Sequence, residues 1–310
     1  FGDEVVFAVR NSTYGHSAMV GAMANCSATV WSFGFGSNMN VDFVNNKKGL
    51  KVLDHAPASL KGWRVGFNLG GMDRVEPAFA NAIKGGPSDE IHGVAIQLST
   101  ADGAKLDSME GAYAKKDVVV TSYAGQDIKA YLYTKEKDDM TEFLPSKRYL
   151  GVLVSGAQAA GLDASYVERL SALETYSPSK DTLALRRRLP DPASLPPVTV
   201  EELAAKPKEG DHCFLSALGY VLQLPRNKVF FRSHIGRDIT ARASRQHRGI
   251  SLDENDDMGR PPYRLPSDMD TPEEVEYVRQ WLDHYLGKIQ VPEGVVGYLS
   301  EYRKQETEGG

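Results

Sequence analysis

The ten residues WSFGFGSNMN, 31–40, limit the possible folds more than any other stretch of this chain. An apolar run from Ala28 to Phe35 reads as a buried strand. It leaves through Gly34 and Gly36 into the polar pair Ser37-Asn38. A simple hairpin sets Asn-Gly or Asp-Gly between two alternating strands, whereas here the glycines precede the polar pair. Gly34 and Gly36 let the backbone bend tightly and approach something closely. The peptide N–H groups of Gly36 to Met39 are then expected to face one concave space, as in an anion nest.

A chain of 310 residues holds one large domain or two ordinary ones. Its 41 acidic and 36 basic residues leave a net charge of −5. That balance gives no global attraction to nucleic acid or to acidic membranes, so neither is an expected partner. Two cysteines, Cys26 and Cys213, cannot make a disulfide framework, and neither stands at zinc-ligand spacing. No metal site and no cofactor is expected. No apolar run reaches about 18 residues, so no membrane span is predicted. The sequence begins at Phe1, which reads as a trimmed chain, soluble and either cytoplasmic or organellar after removal of a targeting segment. Asn11-Ser12-Thr13 and Asn25-Cys26-Ser27 fit the N-glycosylation pattern, which matters only on a secretory route.

Four parts follow from composition. Residues 1–28 are small and polar and read as an N-terminal arm. Residues 29–176 carry strand signals at Ala28–Phe35, Gly62–Asn68, Glu90–Ser99, Asp117–Tyr123 and Asp127–Thr134. They also carry a helix over Asp163–Leu173, with Asp163 as its cap. Residues 177–210 hold six prolines and Arg186-Arg187-Arg188, and read as a linker or an extended strap. Residues 211–310 open with strand-like runs at Cys213–Leu224 and Lys228–Phe231. A helix follows, capped by Thr271, started by Pro272, boxed by Glu274 and stopped by Gly287. Its apolar face is Val275, Val278, Trp281, Leu282 and Tyr285, which must dock on something. The strands of 211–231 are the expected surface.

An anion nest implies a group that acts on whatever carries the anion. Glu110, in LDSMEGAY (106–113), lies at an apolar loop-to-strand junction where desolvation suits a general base. Taken alone, a Glu in a loop is more often a solvated surface residue.

Six segments occur in order: WSFGFGSNMN, LKGWRVGFN, FANAIKGGPSDEIHGVAIQLS, LDSMEGAY, AYLYT and LPSKRYLGVLVSGAQAAGLDASYVERL. Together they resemble the γ-glutamylcyclotransferase family over residues 29–174. The resemblance implies an α+β fold, a small mixed β-barrel with outer helices, followed here by a C-terminal α/β extension of unknown fold. It implies a γ-glutamyl small molecule or peptide as substrate. The substrate's own α-amine would attack its γ-carbonyl, giving 5-oxoproline and a released amine, amino acid or peptide. By the same resemblance, Phe35, Gly36, Ser37 and Asn38 would hold the glutamyl part with backbone groups, and Glu110 would be the general acid/base. No cofactor is implied, because nucleophile and electrophile lie in one molecule.

The chain departs from that pattern in places. Phe35 stands where the family has Tyr, Lys115 to Asp117 stand where it has Gly and a wall Tyr, and Asp163 replaces a Pro. Tyr113 is expected near Glu110, three residues on, but on a different side. An alternative reading is therefore a catalytically inactive fold of this type, serving as a structural or interaction subunit, with residues 177–310 meeting a protein partner. His212, His234, His247 and His284 match no zinc spacing and read as surface or core histidines. Asp253–Asp257 begins like a calcium loop, but Met258 stands where Gly is needed. The basic run Arg226–Arg248 is expected to dock on an acidic part of this chain or of a partner rather than on RNA.

Overall fold

The first expected strand becomes β1 (Thr29–Gly34), and it is followed by six more before the helical part of the barrel region. These are β2 (Val52–Lys61), β3 (Trp63–Met72), β4 (Glu76–Lys84), β5 (Glu90–Ser99), β6 (Ala114–Ser122) and β7 (Asp127–Thr134). A computed structural model describes residues 28–111, 113–136, 141–206, 210–250 and 269–303. The expected arm 1–28, except Ala28, lies outside the described residues, as do both glycosylation tripeptides and Asp253–Asp257. The chain divides into two units, residues 1–71 with 78–175, and residues 72–77 with 176–310.

The first unit is α+β and holds a closed barrel with strand order β1-β5-β2-β6-β7. Parallel pairing of Ser32 with Tyr131 closes it between β1 and β7. The period of two along the strands sorts side chains to two faces. Phe33 and Phe35 join Ala58, Leu60, Ala95, Val120 and Leu132 in one buried cluster. On the other face Val94, Ile96 and Leu98 pack with residues of three helices: Leu106 of α2 (Thr100–Met109), Leu150 and Leu153 of α3 (Lys147–Ala159), and Leu170 of α4 (Ala164–Ser171). The short α1 (Val41–Asn46) precedes β2. Serine and aspartate caps start the three later helices, Ser99, Ser146 and Asp163 each accepting from a backbone N–H three residues on. Two strands, β2 and β4, were not expected from the sequence. β2 contains Pro57 and is largely exposed at its start, so it lacks a clean alternating signal.

In the second unit, residues 177–210 are not extended throughout. Ser179 caps α5 (Lys180–Arg187), and Thr199 caps α6 (Val200–Ala205) in a complete capping box with Glu202. Arg186 is anchored by Glu276 at 2.7 Å and Asp283 at 2.6 Å. A four-stranded sheet has the order β8-β11-β10-β9, formed by β8 (Pro197–Val198), β9 (His212–Ala217), β10 (Tyr220–Pro225) and β11 (Val295–Leu299). Leu218 and Gly219, at φ of 50° and 81°, make the two-residue turn between β9 and β10. Lys228–Phe231 is not a strand. Pro225 ends β10, and the chain coils through a 3-10 turn at Arg226–Lys228.

The helix with its proline start is α8 (Pro272–Leu286), which follows α7 (Thr240–His247) in this unit. Val278, Trp281, Leu282 and Tyr285 are buried with Leu215, Val221 and Leu222 of β9 and β10, so the apolar face docks on that sheet. Two details of its ends differ from expectation. Thr271 caps the Glu274 N–H, but the Glu274 carboxylate accepts from Asp270 N–H rather than closing the box. Gly287 stays right-handed at φ −65°, and a Cβ there would meet the Arg74 guanidinium. The basic run is partly internal. Arg242 is buried, and Arg248 lies 3.6 Å from Asp270 and 3.7 Å from Glu274.

Two kinds of buried titratable group oppose each other in this unit. Asp238 accepts from the Tyr302 hydroxyl at 2.6 Å and the Thr240 hydroxyl at 3.0 Å. Burial outweighs those bonds and pushes its carboxyl up to about 6. Its contribution to stability is therefore full below its unfolded value near 3.8 and is lost as pH rises through about 6. Burial lowers His284 to about 4, so its contribution is present above 6.5 and is lost as pH falls through about 4. The two slopes oppose between about pH 4 and 6. Asp238→Asn removes one of them. The variant should lose more stability than the parent on going from pH 6.5 to 4, by roughly 1–3 kcal/mol. Denaturant midpoints measured across that range check this, and parallel curves for the two proteins would refute it.

Candidate functional site

The opening glycines are explained at the end of β1. A Cβ at Gly34 would lie 2.6 Å from the Asn38 carbonyl oxygen, so the close neighbour is the loop's own backbone. The chain then makes a 3-10 turn over Ser37–Met39, in which Met39 N–H donates to the Gly36 carbonyl at 3.0 Å. Asn40 ends the turn and caps α1 through Phe43 N–H. The expected nest is thus smaller than Gly36 to Met39, because the turn itself uses the Met39 donor. Among the described residues, the N–H groups of Gly36, Ser37 and Asn38 make no hydrogen bond. Gly36 also faces the Tyr149 hydroxyl, 3.7 Å from where its Cβ would stand.

Glu110 is the C-cap of α2, its N–H donating to the Leu106 carbonyl at 3.0 Å. The helix end carries the carboxylate to the loop across 72 positions of sequence. Asn38 Nδ2 donates to Glu110 Oε1 at 3.1 Å. The Lys48 ammonium donates to the same oxygen at 2.7 Å, with side-chain exposures of 9% for Lys48 and 16% for Glu110. The setting of Glu110 is therefore polar and not the apolar junction expected from Met109 and Gly111. Asn38 Oδ1 is buried and has no donor among the described residues.

The other expected site residues are placed as follows. Phe35 is 7% exposed, its ring lying in the barrel cluster with Phe33, so only its backbone is available to the loop. Tyr113 is not remote from Glu110. Its phenol is pushed up to about 12, first by burial and then by the Glu110 charge. Asp117 is an exposed position of β6 opposite Tyr131. Lys115 is held between Asp107, at 2.9 Å, and the Tyr131 ring, at 3.6 Å. A cavity of about 530 Å³ lies elsewhere in the first unit, lined by Trp31, Asp54, His55, Tyr123 and Lys129 among others, and includes neither Glu110 nor Phe35–Asn38.

Lys48 was missed by sequence reasoning. It sits just after α1, in Asn45-Asn46-Lys47-Lys48-Gly49, which reads as an ordinary helix terminus. Gly49, at φ 61°, turns the chain there. Nothing in that segment points 62 residues ahead to Glu110.

The first unit is a closed barrel with outer helices, a glycine loop at the end of its first strand and a carboxylate bonded to that loop, and about half of the chain is similar to γ-glutamylcyclotransferases. Residues 90–170 match the model of the AIG2-like family. The chain is 23% identical over 163 residues to γ-glutamyl cyclotransferase aclK of Aspergillus oryzae, the match covering 46% of this chain and 60% of that protein. It is 24% identical over 148 residues to the γ-glutamylcyclotransferase of Bos taurus, covering 46% of this chain and 77% of the other. A solved γ-glutamyl cyclotransferase structure aligns with 52% of this chain and 99% of its own, at 21% identity and a TM-score of 0.43. No helix among the described residues is long and apolar enough to cross a membrane.

Proposed function

We propose that this chain cyclises a γ-glutamyl group to 5-oxoproline and releases the attached amine, amino acid or peptide. The observation that carries the reading is the direct bond between Asn38 of the loop and the Glu110 carboxylate. A ligand held by the loop's N–H groups lies beside a group able to move a proton. The free N–H groups of Gly36, Ser37 and Asn38 suit the substrate's α-carboxylate. Asn38 Oδ1, an acceptor lacking a donor, and Glu110 suit its α-ammonium. Glu110 takes a proton from the α-ammonium, and the freed amine attacks the γ-carbonyl carbon of the same molecule. The attacking nitrogen then gives up a second proton, the bond from that carbon to the leaving nitrogen breaks, and the leaving nitrogen takes the proton held by Glu110 and departs as an amine, which the second proton converts to an ammonium. Holding both reactants in one folded molecule replaces a bimolecular encounter.

The test is release of 5-oxoproline from γ-glutamyl dipeptides by the purified chain, read by mass spectrometry. No release from any of a panel of γ-glutamyl amino acids would overturn the reading. One observation favours a second reading, an inactive fold kept as an interaction subunit: the Lys48 ammonium already occupies the proposed base. Under that reading, the panel gives no product, and residues 177–310 serve a protein partner.

A further inference from the structure

We infer that Lys48 is a specificity residue that reads the free α-carboxylate of the substrate, an inference that rests on the cyclotransferase reading. The Glu110 carboxylate, which under that reading meets the substrate's ammonium, here carries the Lys48 ammonium at 2.7 Å and the Asn38 amide at 3.1 Å, both on Oε1. Two ammonium groups on one carboxylate repel strongly in a partly buried site. An incoming α-ammonium therefore displaces that of Lys48.

The displaced charge needs a new partner, because the Lys48 side chain is only 9% exposed and an unpaired cation there is costly. A free amino-acid head supplies one. Its carboxylate is attached to the same carbon as its ammonium, so it arrives within a few ångströms of Glu110. A lysine stem is long and flexible enough to swing that far. The unbonded N–H groups of Gly36, Ser37 and Asn38 meet the carboxylate from its other side. The four charges then alternate in sign. A γ-glutamyl compound whose α-carboxyl is an amide removes Lys48 from Glu110 and gives it nothing in return. The chain thus requires a zwitterionic head and rejects the neutral amide.

The experiment measures binding by calorimetry and product release by mass spectrometry for γ-glutamyl-alanine and for the same compound with its glutamyl α-carboxyl amidated. Parent, Lys48→Met, Lys48→Gln and Lys48→Arg proteins are compared, with thermal unfolding as the check on folding. The parent should bind the carboxylate form about tenfold or more tightly than the amide, the scale of one charge-assisted bond. Lys48→Met and Lys48→Gln should bring the ratio to within about threefold, mainly through Kd and KM rather than kcat, and Lys48→Arg should restore part of it. An unchanged ratio in the Met and Gln variants overturns the inference, as does a parent that binds neither compound or prefers neither. A Lys48-dependent preference in binding without any 5-oxoproline keeps the inference and removes the cyclotransferase reading. Release of product with no dependence of the ratio on Lys48 does the reverse.

Discussion

Glu110→Gln is expected to lower the release of 5-oxoproline by about 10²-fold or more, the loss typical of a positioned general base. The substitution keeps the shape of the side chain and a carbonyl oxygen able to accept from Asn38 Nδ2, which lies 3.1 Å from Oε1 in the parent. It removes the group proposed to carry the proton. Two further effects separate this cause from simple disorder. The loss should fall mainly on kcat, because the loop N–H groups proposed to hold the carboxylate are untouched, with a smaller rise in KM from the lost charge facing the substrate's α-ammonium. The far-UV spectrum should stay near that of the parent, whereas the melting temperature should fall, because Gln leaves the Lys48 ammonium, 9% exposed, without its charge partner. Full activity in the Gln variant would rule Glu110 out as the proton carrier and send the search to the Lys48 ammonium and the Tyr113 phenol beside it.

Trp281→Ala should destabilise the second unit by ~3–5 kcal/mol, the range for emptying a core aromatic site. Trp281 is 2% exposed and stands in an aromatic cluster, with Phe231 at 5.9 Å, His234 at 5.3 Å and Tyr285 stacked at 6.4 Å between ring centroids. Its Nε1–H has no acceptor among the described residues. Trp281→Phe keeps the aromatic contact and deletes an unsatisfied donor, so it should cost clearly less than the alanine change. Hydrogen exchange read by mass spectrometry locates the effect. The proposed division into 29–176, a linker over 177–210 and a small domain over 211–310 requires loss of protection within 211–310 while the barrel strands stay protected. Loss spreading equally into β1 and β5 would remove that division. An alanine variant as stable as the parent would mean that α8 does not rely on this contact.

Much of the fold was legible because the signals are local. β5 and β7 occupy the expected residues Glu90–Ser99 and Asp127–Thr134, since turn residues bound both of these β-branched and aromatic runs. Thr271-Pro272 announced α8, and Asp163 announced α4, because a cap is a bond between neighbours in sequence. The prolines of 177–210 misled for the same reason. They mark breaks in the chain, but Ser179 and Thr199 start helices between those breaks.

The sequence by itself indicated five of the seven strands β1–β7 and the amphipathic face of α8, each from a pattern carried within a few residues. It offered Phe35 to Asn38 and Glu110 as candidates through the resemblance of six ordered segments over residues 29–174. Only the tertiary structure decided what surrounds Glu110. Closure of the barrel brings residues 38, 48 and 110 together, and Lys48 has no local signature. It also decided why Gly34 must lack a side chain, since the obstructing atom belongs to a turn four residues on. The physical reason is the range of the forces. Capping and alternation act between neighbours along the chain, whereas a buried charge takes its partner from whatever the packed fold places within about 3 Å.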